Sequence, residues 1–140
     1  MRSTLPRRIA LAALLVTGSA CRGGLTGTSD LVAGVYTLQT ANGQPLPYLL
    51  VFIDQDNKLE FTAGSVTIVD DGSFVDSATF LVTESGVQTS QTQVVSGQWT
   101  QKGGRITFTP DDGTDPYVMT WNGTGRLVQG FQDVTLAYFR

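Results

Sequence analysis

Three acidic clusters are where this chain first suggests chemistry: Asp54, Asp56 and Asn57; Asp70 and Asp71; and Asp111, Asp112 and Asp115. Carboxylates at alternate positions could open a calcium loop. Such a loop needs a glycine at its sixth place and a glutamate at its twelfth. Counted from Asp54 those places hold Leu59 and Ser65, so the pattern fails. The other two clusters adjoin Gly72 and Gly113. Asp and Asn favour such positions because their side chains hydrogen-bond the local backbone of a turn. The reading is therefore turn chemistry, with no metal site. Glu60, Glu84 or Asp76 could be paired for glycoside hydrolysis, and polar strand positions explain them more simply. The chain has no histidine, which removes the commonest general base and metal ligand. A serine nucleophile would then have no base beside it. The expectation is a protein that is not an enzyme and needs no cofactor. Asp76 alone is odd. It shares strand parity with Phe74 and Ala78, so it belongs either at a water-filled barrel mouth or at a polar point in a cavity, and the mouth is the simpler assignment.

The only cysteine, Cys21, ends the stretch "LLVTGSAC". Three arginines (Arg2, Arg7, Arg8), a short apolar run over 9–16 and small residues behind it form a secretory signal over 1–20. The run is too short to span a bilayer, which takes about 20 apolar residues. "GSAC" resembles the bacterial lipobox, whose cysteine is acylated and becomes the first mature residue. Gly18 stands where an apolar residue is usual, and ordinary cleavage after Ala20 is the alternative. Acylation would consume a thiol that has no partner in an oxidising compartment. This resemblance implies export across the inner membrane and a lipid anchor at Cys21 on the outer membrane or periplasmic side of the envelope. Residues 22–30, rich in Gly, Ser and Thr, read as the tether, with one globular domain over 31–140.

Bulk properties agree with a single domain: 140 residues, 41% hydrophobic and 15% charged. Beyond Cys21 there are 9 − 3 = 6 basic and 12 acidic residues, a net charge of −6. An acidic body is unsuited to nucleic acid. From 31 onward short apolar-alternating runs are separated by turn signals. Asn42-Gly43, "DDGS" (70–73), "KGG" (102–104), "PDDGTD" (110–115) and "NGTG" (122–125) punctuate strands near 34–40, 48–54, 58–69, 74–83, 93–101, 105–109, 116–121 and 126–140. Parity changes at Gly64, which predicts a β-bulge at Gly64-Ser65. "YLLVFID" (48–54) is apolar at nearly every position. It reads as a strand buried on both faces or meeting a second apolar surface. Residues 84–92 are polar, a long loop or a solvated strand.

About eight antiparallel strands joined by short turns leave two open edges unless the sheet closes. The predicted fold is an all-β, antiparallel up-and-down barrel of about 8 strands in which the strand near Tyr36 pairs with the one near Tyr138. An open two-sheet sandwich is the alternative. "GVYTLQTANGQPLP" (34–47), "GQWTQKGGRITFTPDDG" (97–113) and the closing "AYFR" (137–140) resemble the lipocalin-like domains of bacterial lipoproteins. That resemblance implies a lipocalin-like barrel over 31–140, without the C-terminal helix and disulfide of true lipocalins. An outer-membrane barrel is excluded because Lys58, Glu60, Gln91, Gln93, Gln98 and Gln101 break any lipid-facing stripe.

An eight-stranded barrel is just wide enough to fill with side chains or to hold one small ligand. Tyr36, Leu38, Phe61, Phe80, Trp99, Phe108, Met119, Trp121 and Tyr138 point inward by parity, and Phe52 and Tyr117 are grouped with them. They form either a packed core or the lining of an apolar cavity. The expected role is binding a small apolar molecule or supporting a surface interaction. A docking module for a protein partner, with "YLLVFI" as its patch, and a protease-inhibitor barrel that inserts its 22–30 segment are the alternatives.

Overall fold

The computed structural model describes residues 32–140. The expected signal peptide over 1–20, Cys21 and the expected tether over 22–30 lie outside the described residues. Ten strands follow in order: β1 (Gly34–Ala41), β2 (Gln44–Pro45), β3 (Tyr48–Asp54), β4 (Asn57–Ile68), β5 (Ser73–Glu84), β6 (Val87–Lys102), β7 (Arg105–Pro110), β8 (Tyr117–Trp121), β9 (Arg126–Phe131) and β10 (Val134–Phe139). Each strand from β4 to β10 pairs with the next, all antiparallel. The ring closes through β1, which lies between β10 (Leu38 opposite Tyr138) and the end of β4 (Tyr36 opposite Val66). The result is a closed antiparallel barrel of eight strands, β1 and β4 to β10.

The eight members differ from the predicted eight in two places. The stretch 126–140 is a hairpin, with Val134 opposite Phe131 and a turn at Gln132 and Asp133. The 48–54 run lies outside the ring. Strand β1 leaves β4 after Thr37, and β3 takes the vacated place along the first half of β4, from Tyr48 opposite Phe61 to Asp54 opposite Asn57. Among the described residues the other edge of β3 has no partner strand. Consecutive strands β1 and β3 are thus not neighbours. They share one edge of β4 at different heights, and the wall is open between β3 and the β9–β10 hairpin.

Side-chain parity does switch along β4, but the bulge sits at Thr62, between the pairs Phe61–Phe80 and Ala63–Thr79. Gly64 has another job. It faces inward, and a Cβ there would lie 3.2 Å from the Leu38 Cβ. An isolated glycine in a strand marks either a bulge or a close approach, and here it is the close approach. The polar 84–92 stretch is strand, joined by a two-residue turn at Ser85 (φ 51) and Gly86 (φ 79). Both values suit the mirror-image turn that matches strand twist. Asn42 (φ 51) and Gly43 (φ 74) make the same turn after β1.

One end of the barrel is packed solid. Val32, Tyr36, Ile68, Phe74, Ile106, Phe108, Met119 and Leu127 are all at most 2% exposed. The Tyr36 hydroxyl donates to the Val32 carbonyl at 2.6 Å, holding the entering chain across the barrel's base. Phe74 meets Phe108 edge-on at 4.9 Å, and Phe108 stacks on Tyr117 at 5.2 Å. Trp99 closes the same end, its Nε1 donating to the Val69 carbonyl at 2.8 Å.

Candidate functional site

Above that aromatic layer the barrel is hollow. A cavity of about 180 Å³ is enclosed by Leu50 of β3, Phe61 of β4, Asp76, Ala78 and Phe80 of β5, Gln93 and Val95 of β6, Tyr117 of β8, Gln129 and Phe131 of β9, and Leu136 and Tyr138 of β10. The hollow exists because inward positions of β5 in this region carry the short Ala78 and Asp76, where the packed end has Phe74. The cavity leads into a wider trough of about 670 Å³ that shares Leu50, Phe80, Gln93 and Phe131 with it. The trough is lined by Val51 and Ile53 on one side and Gln132 on the other, so it follows the opening between β3 and the β9–β10 hairpin.

Most of the cavity wall is apolar. Phe61 and Phe80 stack at 5.0 Å on one side. The polar groups gather around Asp76. The Tyr117 hydroxyl donates to Asp76 Oδ2 at 2.7 Å, across 41 residues of sequence. The Tyr138 hydroxyl lies 3.4 Å from Gln129 Oε1. Burial pushes the Asp76 carboxyl above its ordinary value of 3.8, while the bonds from Tyr117 and the Ser77 backbone pull it back. Burial, reinforced by the negative charge of Asp76, holds both Tyr117 and Tyr138 protonated well above the ordinary tyrosine range. Tyr117 therefore keeps its proton and donates it to the ionised Asp76 carboxylate.

The residues singled out from sequence divide between the two ends. Phe61, Phe80 and Tyr138 line the cavity. Tyr36, Leu38, Trp99, Phe108, Met119 and Trp121 belong to the packed core and do not reach it. Phe52 faces outward and is 54% exposed, contrary to the expectation, because β3 stands beside the opening and not in the ring. Asp76 is half-buried in the cavity rather than at an open mouth. Tyr117 and Val95 were signalled only by parity. Leu50, Gln129 and Phe131 carried no cavity signal, and Gln93, expected from the sequence on an outward face, stands in the cavity wall instead.

The acidic clusters behave as turns. Asp54 Oδ1 accepts from the Asp56 backbone at 2.9 Å, Asp71 Oδ1 from the Ser73 backbone at 2.8 Å, and Asp112 Oδ1 from the Thr114 backbone at 2.9 Å. The Ser73 and Thr114 hydroxyls bond the same carboxylates and hold Asp71 and Asp112 below the ordinary range. Of the two remaining glutamates considered, Glu60 pairs with Lys58 at 3.0 Å, and Glu84 stands at the end of β5 beside the trough. No family model matches the chain, and no curated protein matches it.

Proposed function

We propose that this chain is a non-enzymatic, lipocalin-like binding protein of the bacterial envelope, anchored to a membrane through Cys21, whose barrel takes up one small, largely apolar molecule. The observation that carries this reading is the hollow end of the barrel. An apolar space of about 180 Å³ beneath a broad opening is unfilled by the protein's own side chains. A comparable dry cavity of about 150 Å³ is large enough for benzene. Native mass spectrometry of the purified full chain tests the reading by looking for a co-purified molecule. The matched control is Ala78→Phe, which fills the cavity from its wall. The expected result is a bound small molecule in the parent that is absent from a folded Ala78→Phe variant. Retention of the same molecule by that variant would overturn the assignment to this cavity.

A second reading, docking of a protein partner, is favoured by β3. Ile53 is 74% exposed, and Leu49, Val51 and Phe52 are exposed with it on a strand whose outer edge is unpaired among the described residues. Such an edge can accept an added strand from a partner. A lysine replacing Phe52, which lines neither the cavity nor the trough, would blunt that edge and leave small-molecule uptake intact, which separates the two readings.

A further inference from the structure

Asp76 asks for a more specific ligand. It sits at an inward strand position among aromatic and aliphatic side chains. Among the described residues no lysine or arginine lines the cavity. The one cation at the trough, Lys58, is paired with Glu60 at 3.0 Å. A half-buried carboxylate with no countercharge is costly, and proteins normally keep such groups paired. The bonds from the Tyr117 hydroxyl and the Ser77 backbone bring no positive charge to it.

We propose that the cavity binds a small amine, its ammonium group resting against the Asp76 carboxylate and its apolar portion against Phe61, Phe80 and Leu136. This rests on the reading of the cavity as a ligand site and narrows it to a chemical class. An ammonium group brings donors and a positive charge to a corner rich in acceptors: the Asp76 oxygens, the Gln129 carbonyl oxygen and the oxygen lone pairs of Tyr117 and Tyr138. An anionic ligand such as a fatty acid meets the opposite situation, with one carboxylate to repel it and no basic residue in the wall. The volume of about 180 Å³ suits a single ring or a short branched chain. A longer substituent would leave through the trough.

The test compares phenethylamine with phenethyl alcohol, which has nearly the same shape and no charge. Both are titrated calorimetrically into the full chain and into its Asp76→Asn variant. The expected result is at least about ten-fold tighter binding of the amine in the parent, as a charge-assisted bond supplies. That preference vanishes in Asp76→Asn while the alcohol still binds. A carbon-13 shift of the Asp76 carboxyl on adding phenethylamine to the parent is the second readout and needs no variant to fold. Equal or tighter binding of the alcohol, or an amine preference that survives in Asp76→Asn, would overturn the amine assignment and leave the cavity as an apolar site. Failure of both compounds to bind would overturn the amine assignment and the cavity reading together.

Discussion

Replacing Tyr117 with phenylalanine removes one oxygen and keeps the ring stacked on Phe108. The hydroxyl lost is the donor to Asp76 Oδ2 at 2.7 Å. A hydrogen bond to a charged group is worth about 1.5–3 kcal/mol net, and one to a neutral group about 0.5–1.5 kcal/mol. Asp76 is half-buried, so solvent weakens the upper figure, and a loss of about 1–2 kcal/mol is expected where Asp76 is ionised. The sign of the pH dependence follows from what the bond does. It lowers the Asp76 pKa, against burial, which raises it. Without it the folded pKa climbs further above the unfolded value. Below about pH 3 the carboxyl is protonated in both states, only a neutral bond is lost, and the variant should differ least from the parent. Above the folded pKa the full charged bond is lost. The deficit should therefore grow by up to about 1 kcal/mol from acid to neutral pH. Urea unfolding at both pH values measures it, and a carbon-13 titration of the carboxyl follows Asp76 directly. An identical deficit at both pH values, with an unmoved Asp76 midpoint, would refute the reasoning.

Four other outcomes follow from the geometry. A Cβ on Gly97 would lie 2.1 Å from the Thr109 carbonyl oxygen and 2.9 Å from the Pro110 Cα, so Gly97→Ala should cost about 3 kcal/mol or more. Gly130→Ala, with nothing within 4 Å, should be near neutral, and thermal melts of the two variants measure the difference. Asn42 accepts from the Thr135 backbone at 2.8 Å and donates to the Tyr48 hydroxyl at 2.9 Å, tying β10 to the start of β3. Asn42→Gly keeps the turn and loses both bonds, so it should cost about 1–2 kcal/mol and speed amide exchange at Thr135. Asp76→Asn should stabilise the fold at neutral pH. The native state holds the Asp76 proton more tightly than the unfolded chain does, so parent stability falls as pH rises from 3.8 through the folded value, and the variant should show no such fall. Asp71 and Asp112 act on the other side of that value: their contribution is present above 3.8 and is lost as pH falls through their lowered folded values. A parent that gains stability from pH 4 to pH 7 in urea titrations would count against the Asp76 assignment.

Closure of the barrel could be read from parity and turns because each signal was local. Tyr36, Leu38, Leu136 and Tyr138 alternate cleanly, and Asn42-Gly43 names its own turn. The β9–β10 hairpin was hidden because its turn uses Gln132 at φ 51, without the glycine or asparagine that announces such turns. Gly64 was misleading because one residue type serves both bulges and close contacts. The apolar run of β3 misled for a different reason. Apolar composition predicts burial against something, and here the described chain leaves Phe52 and Ile53 in solvent. Of the site, the inward parity of Asp76 was legible. The inward side of Tyr117 was legible too, but its pairing with Asp76, across the curl of the sheet, was not, and neither was the opening, which depends on β1 and β3 sharing one edge of β4.

The hollow end of the barrel is the claim on which the functional reading stands, and xenon tests it most directly. Diffraction from a crystal pressurised with the gas should place xenon among Phe61, Phe80 and Leu136, against the apolar wall and away from Asp76. Those side chains found closed over the space, with no xenon between them, would contradict the account.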